Sequence, residues 1–317
     1  MSVTVRNIKS DDLSPKLDFK SNSELVKLLP RTLTPKRFSF ELNGVSTAVA
    51  NGLRRACALE INIKSMTFDF DDFETTNPFT LPDFLQTRIQ HIPIDQSVAN
   101  NTEWYIDVSN NTKSTKYIYS DEIKVKGGKN VSAFNQTFPI ISLQPNTSLQ
   151  VKRIYIHEGM GFNNSCFSSA HQSLCVPLDQ QPIDLQTGEG VRSGVADPKK
   201  HRVGFITNGG IGGREIVIRA CQSIRERLRY IQTLLPNITT KEKMSMMIIN
   251  GESDTIGNLL LKTITELSPD AVITYETNST YRALTLKLKT SEEPDRVINN
   301  AIKFSIEIFG AIEKQLR

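Results

Sequence analysis

The chain has 317 residues, 38% of them hydrophobic and 23% charged, with 38 Lys and Arg against 34 Asp and Glu. That length can bury a core large enough for two domains, while a net charge of +4 is too mild for a dedicated nucleic-acid binder, whose basic residues gather in one stripe. Four scattered cysteines without a CxxC pair, no apolar leader and no run approaching a membrane span argue against a disulfide scaffold, secretion or insertion, so an intracellular, soluble protein is expected.

Residues 1–36 are polar and mixed in charge, with Pro30 and Pro35, and are expected to be a loosely attached extension with a short helix at Ser23–Leu29. Arg37–Leu42 alternates Phe38, Phe40 and Leu42 with polar residues, the pattern of a strand with one buried face. Asn43-Gly44 then turns the chain, Ser46 is a candidate N-cap, and Val49, Leu53, Ala56 and Glu60 share one helical stripe beside Cys57. From about 64 to 200 the signal is mainly β, with alternation over Ser65–Phe73, Trp104–Val108, Lys116–Tyr119 and Ser148–His157, and turns at Gly127-Gly128 and Pro145-Asn146. One helix interrupts it at Pro82–Gln90, closed by Pro93. Val176–Lys200, rich in Pro, Gly, Gln and Asp, is expected to be a long surface loop.

A strand follows at Arg202–Ile206, then the turn TNGGIGG and a helix from about Arg214 to Leu235, with Ile216, Ala220, Ile224, Leu228 and Ile231 three or four apart and Pro236 as its stop. Thr239–Lys243 is read as a charged linker. Met244–Ile249 is a strand, Asn250-Gly251 a turn and Ser253 a cap, before a helix striped by Ile256, Leu260, Ile264 and Leu267. Strands at Ala271–Thr277 and Tyr281–Lys289 lead to a last helix, Pro294–Leu316, with Val297, Ile298, Ala301, Phe304, Ile308 and Ile312 on its apolar face.

The chain repeats itself. Laying Asn250 on Asn43, an offset of 207 residues, also matches Gly251 to Gly44, Ser253 to Ser46, Asn258 to Asn51 and Leu260 to Leu53. Ile256 then falls on Val49 and Lys262 on Arg55. Turn and cap chemistry explains the first three matches; it does not explain Asn51 and Asn258, because asparagine is a poor residue inside a helix. The long helices repeat in the same way: an offset of 80 places Val217, Ile218, Cys221, Ile224 and Leu228 on Val297, Ile298, Ala301, Phe304 and Ile308. A small sheet with two helices on one face leaves apolar surface uncovered, and packing two such units helix to helix would bury it.

These residues carry a family resemblance. Phe40-Glu41-Leu42, followed by Ser46-Thr47-Ala48-Val49-Ala50-Asn51-Gly52-Leu53-Arg54-Arg55, resembles the motif of the larger α-like subunit of multisubunit RNA polymerases (bacterial α, archaeal D, the third subunit of eukaryotic RNA polymerase II). Asp254-Thr255-Ile256-Gly257-Asn258-Leu259-Leu260 resembles the motif of the smaller partner (archaeal L, the eukaryotic eleventh subunit). Phe84-Leu85-Gln86-Thr87-Arg88-Ile89 with Ile92-Pro93-Ile94 is similar to the second domain of the larger subunit, and Asp197–Arg202 lies where the chain should return to the first. The order as a whole resembles the fused α-like subunit of some large DNA viruses.

The resemblance implies an α+β fold: two bacterial-α-like dimerisation units, each a small sheet plus two helices, packed as an intramolecular pseudo-dimer with a mainly β insertion domain. The divisions are 1–36 as extension, 37–63 and 201–238 as the larger half, 64–200 as insertion, 239–243 as linker and 244–317 as the smaller half. It implies a non-catalytic assembly platform, with Mg²⁺ held by the catalytic subunit of the complex and no cofactor here. Partners would be the two largest RNA polymerase subunits and the small assembly subunits, with DNA met only through the complex and no membrane. The compartment would be the host cytoplasm and virion if viral, or the nucleus. Interface residues are Asn51, Leu53, Arg54 and Arg55 for the larger half and Thr255, Asn258 and Leu260 for the smaller, with Ile224, Leu228, Phe304 and Ile308 pairing the long helices. The chain departs from the family in having no cysteine in residues 95–115, where many larger subunits carry a four-cysteine metal loop. It also departs at Gly159–Gln172, which reads GMGFNNSCFSSAHQ in place of a His-Ala-Lys-Trp-like stretch.

Other chemistry is weaker. His157, Cys166, His171 and Cys175 lack the tight paired knuckle of a structural zinc site, and no zinc is expected there. TNGGIGG precedes a helix but lacks the Lys-Ser/Thr of a phosphate loop, so a strand-to-helix turn is expected. Asp69-Phe70-Asp71-Asp72 is read as a solvent face rather than a Mg²⁺ site. Two other functions stay open: an unrelated homodimeric interaction module, and a small nucleotide-binding enzyme using the Gly-rich turn.

Overall fold

The computed structural model describes residues 3–12, 36–126, 139–179, 198–241, 244–278 and 280–317. The first elements are β1 (Thr4–Asp12), β2 (Lys36–Asn43), α1 (Thr47–Leu59), β3 (Asn62–Thr67), β4 (Phe73–Thr75) and α2 (Pro82–Gln90). Next come β5 (Glu103–Asn110), β6 (Lys116–Tyr119), β7 (Lys124–Val125), β8 (Pro139–Leu143), β9 (Thr147–Met160), β10 (Ala170–Pro177) and β11 (Lys200–Thr207). The last are α3 (Gly213–Thr233), β12 (Thr239–Lys241), β13 (Met244–Asn250), α4 (Asp254–Leu267), β14 (Val272–Asn278), β15 (Ala283–Lys289) and α5 (Pro294–Leu316).

The first sheet is antiparallel, in the order β1-β2-β11-β10. Phe38, Phe40 and Leu42 of β2 and Val203 and Phe205 of β11 turn inward, with the Phe38 and Phe205 rings 5.6 Å apart. Helices α1 and α3 pack against this sheet. Both edge strands depart from the sequence expectation. Thr4–Asp12 is not a loose extension but pairs with β2, and Ala170–Pro177, expected within the insertion, joins β11. Each carries a register shift around a residue of positive φ, Asn7 at 50° and Gln172 at 48°. Such a bulge adds a residue and destroys the period-two alternation that marks a strand. The expected helix at Ser23–Leu29, the Gly127-Gly128 turn and residues 180–197 of the expected loop lie outside the described residues.

The second sheet is also antiparallel, in the order β12-β13-β15-β14. Met247 and Ile249 of β13 and Leu284, Leu286 and Leu288 of β15 are buried beneath α4 and α5. Thr239–Lys241, expected as linker, is an edge strand whose three residues are exposed, so no apolar alternation announces it. Both NG corners turn on a glycine in the left-handed region, Gly44 at φ 80° and Gly251 at φ 83°. Ser46 and Ser253 occupy the N-cap positions, but neither hydroxyl accepts a helix N–H, contrary to expectation.

Helices α3 and α5 lie antiparallel: Gln222 and Arg225 of α3 reach Glu313 near the end of α5, and Gln232 reaches Asn299 near its start. One continuous apolar core runs from Phe38 through Leu53, Ile224, Leu260 and Phe309 to Leu286. On α5 the buried aromatic is Phe309, whereas Phe304, expected on the apolar face, is only partly buried at its flank.

A second core belongs to the region between α1 and β10. There β3-β9-β5-β7, with β4 on β9, forms a sheet, and β6 pairs β8. Met66, Phe68, Leu85, Ile89, Trp104, Ile106, Val151 and Ile154 fill it. The strand expected over Ser65–Phe73 is broken by a one-turn 3-10 helix at Phe70–Asp72. Among the described residues no helix is long and apolar enough to cross a membrane.

Candidate functional site

The two helices that follow the NG corners meet. Leu53 of α1 and Leu260 of α4 are both completely buried, and Gly52 lies so close to α4 that a Cβ there would stand 3.8 Å from Thr255 Cγ2. Asn51, half-buried within α1, accepts a hydrogen bond from Arg54 Nε at 2.8 Å, and Arg54 Nη1 donates to Ser173 Oγ of β10 at 3.0 Å. The interior asparagine therefore orients an arginine across the sheet edge. Asn258 is exposed on α4 and does not repeat that contact.

Arg55 starts a buried polar chain that passes repeatedly between residues 37–238 and residues 244–317. Its Nε donates to Thr255 Oγ1 at 3.0 Å, and that hydroxyl donates to Glu60 Oε1 at 2.8 Å. Arg227 of α3 sits between Glu60 and Glu252, bonding Glu60 through Nη1 and Glu252 through both Nε and Nη2. The two carboxylates are each 5% exposed and the guanidinium 18%. Burial works against the Arg227 cation, but the hydrogen bonds and charges of Glu252 and Glu60 outweigh it and push its pKa up. Ser223 Oγ closes the site by donating to the Glu60 carbonyl at 2.8 Å.

The long helices add a second cluster. Ile224 and Leu228 are fully buried and Ile308 nearly so. Glu313 accepts from Gln222 at 2.9 Å, and also from Arg225 and Arg317. Burial opposes its charged form, yet those three hydrogen bonds together hold the Glu313 carboxyl below its ordinary value.

The structure thus brings Leu53, Arg55, Thr255, Leu260, Ile224, Leu228 and Ile308 into contact regions between helices, and leaves Asn258 and most of Phe304 outside them. Sequence reasoning missed Arg227, Glu252 and Glu313. The available signal was a charge on an apolar stripe, as at Glu60, which normally marks a buried pair rather than a solvated face.

The other candidates resolve differently. The His157 ring packs on Phe167 with centroids 4.7 Å apart, and burial pushes the Cys166 thiol up. Among the described residues no group of three or more His, Cys, Asp or Glu is placed to hold a metal ion. The Gly-rich turn is a packing device: a Cβ on Gly210 would stand 2.3 Å from the Ile94 carbonyl oxygen, and one on Gly213 2.3 Å from the Phe38 ring. The hollow beside it carries both signs of charge, with Arg219 paired to Glu215 at 2.8 Å. Asp69 accepts a hydrogen bond from the Tyr155 hydroxyl, and Asp71 is exposed in its turn.

No family model matches the chain. Curated relatives do, along nearly its whole length. It is 31% identical to the DNA-directed RNA polymerase RPB3-11 homolog of a Kenyan isolate of African swine fever virus, over 92% of this chain and 90% of the relative. The same protein of the Badajoz strain is 30% identical and that of a Malawian tick isolate 29%, over the same shares of each chain. With this likeness covering nine-tenths of both chains, the chain belongs to the family of DNA-directed RNA polymerase RPB3-11 homologs.

Proposed function

We propose that this chain is the non-catalytic assembly platform of a DNA-directed RNA polymerase and supplies both members of the α-like pair. In this reading residues 37–63 and 201–238, with β10 added, form the larger half, and 244–317 the smaller; the region with its own core is the insertion domain. The observation that carries the reading is the agreement of buried positions between the long helices. Laying Gly213, where α3 begins, on Pro294, where α5 begins, puts Ile216, Val217, Ala220, Cys221, Ile224, Leu228 and Ile231 on Val297, Ile298, Ala301, Ile302, Ser305, Phe309 and Ile312, all of them buried. This register is one residue longer than the offset of 80 read from apolar type, and it explains why Phe309 rather than Phe304 fills the core.

The platform would dock the two largest polymerase subunits and the small assembly subunits, touching DNA only through them. Arg54 and the exposed Asn258 are the motif residues left for such contacts. A covalent link between halves keeps the smaller one at an effective concentration of order mM, so pairing needs no second chain. Affinity capture of the tagged chain from cells making the whole polymerase tests the reading. It should bring down two very large subunits in equal amount. Capture without them, or nucleotide turnover with Mg²⁺ by the chain alone, would contradict it. Pairing within the chain has its own test: Leu53→Asp and Leu260→Asp each bury a carboxylate in the shared core and should lower the melting temperature markedly. Unchanged melting in both would remove the intramolecular pair.

A further inference from the structure

The polar chain through Arg227 has no counterpart on the other side of the pairing, and this asymmetry carries information. Matching the two NG corners puts Val45 in the place of Glu252, Ala48 in that of Thr255 and Leu267 in that of Glu60. The buried register of the long helices puts Ile308 in the place of Arg227. At these positions the Arg227 side is ionic, whereas Val45, Ala48 and Ile308 on the matching side are buried and apolar. We infer that Glu60, Arg227 and Glu252, with Thr255, form a pairing code that makes each half of the chain choose the other rather than its own kind; the inference rests on the paired-halves reading above.

Each like pairing breaks the cluster. Two smaller halves face to face would set the buried Glu252 against Ile308, with the exposed Leu267 in the place of Glu60 and no cation in reach. Two larger halves would keep the Arg227–Glu60 bond but present Val45 where Glu252 receives Nε and Nη2, and Ala48 where Thr255 serves both Arg55 and Glu60. A buried ion pair contributes little net stability against well-packed apolar groups, but stranding one of its charges is costly. The cluster therefore gives discrimination rather than adhesion, as a single buried polar residue fixes register and oligomer state in coiled coils. Two sheets of similar design, each with an apolar helix face, need such a device because apolar faces of matching shape accept one another indiscriminately.

The test uses the full chain, comparing wild type with the apolar triple variant Glu60→Leu, Arg227→Met, Glu252→Leu. Light-scattering mass after gel filtration reads the oligomer, and chains labelled with light and heavy nitrogen, refolded together and cross-linked, read who pairs with whom. Wild type should run as one chain of 35.6 kDa. The triple variant should keep its melting temperature yet raise the ratio of two-chain to one-chain species about 100-fold, with mixed-isotope Lys303–Lys314 links showing two smaller halves face to face. A one-chain triple variant, or a two-chain species lacking those mixed links, overturns the code. If the triple variant does not fold, Glu252→Gln decides. It keeps volume and hydrogen bonding, so a raised two-chain fraction supports the code and a wild-type profile overturns it. Failure of the code leaves the Leu53→Asp and Leu260→Asp losses intact, whereas failure of the paired-halves reading abolishes them.

Discussion

Replacing Arg227 by methionine isolates the energetics of the buried cluster. Methionine keeps most of the aliphatic length of arginine, so the change removes the guanidinium and little packing. Glu60 and Glu252, each 5% exposed, are left without their cation. Breaking a buried pair in this way costs about 3–5 kcal/mol, and at about 2 °C per kcal/mol for a chain of this size the melting temperature should fall by about 6–10 °C. The internal control is Arg202→Met. Arg202 bonds Glu41 at 2.9 Å, a distance typical of a good pair, but its side chain is 54% exposed. Water already solvates that guanidinium, so its loss should cost at most about 1 kcal/mol, or about 2 °C. Differential scanning calorimetry of both variants at neutral pH measures the contrast. Equal and small shifts would refute the reasoning, because they would mean that the Arg227 cluster is solvated.

Other expectations follow from single positions. Phe309→Ala should cost about 3–5 kcal/mol in denaturant unfolding, and Phe304→Ala, at the flank of the same helix, less than half of that. Gly210→Ala should lower the melting temperature, since its Cβ would press 2.3 Å from the Ile94 carbonyl, while Gly212→Ala, with nothing within 4 Å, should be tolerated. Glu313→Gln should alter the acid limb of stability. The folded-state pKa of Glu313 lies below its ordinary value of about 4.5, so its contribution is present above that pH and lost as the pH falls below it. The variant should lose this contribution at neutral pH and show a shallower decline below pH 4.5; parallel curves would show that the Glu313 cluster does not stabilise the fold.

Elements whose burial follows a simple period could be read directly from the residues. Phe38, Phe40 and Leu42 alternate because one face of β2 turns into the core against α3, and Pro82–Gln90 forms a helix over those same residues. The edge strands could not be read, because positive-φ bulges at Asn7 and Gln172 put their apolar residues out of phase. Helix burial was legible where it is apolar, at Leu53, Leu260, Ile224 and Leu228. The buried ionic cluster was not: Arg227 and Glu252 gain meaning only when two distant segments meet around Glu60, and local sequence carries no sign of a partner 25 residues away or more. The Gly-rich turn illustrates the converse, a conspicuous motif whose glycines answer to Ile94 and Phe38 rather than to a ligand.

We propose that one copy of this chain replaces an α-like heterodimer. Native mass spectrometry of the purified polymerase tests it most directly. The account predicts a complex that contains this 35.6 kDa chain once, together with the two largest subunits and without any separate small α-like chain. Two copies of the chain in the complex, or one copy joined by a distinct chain bearing its own strand–NG–helix corner, would contradict it.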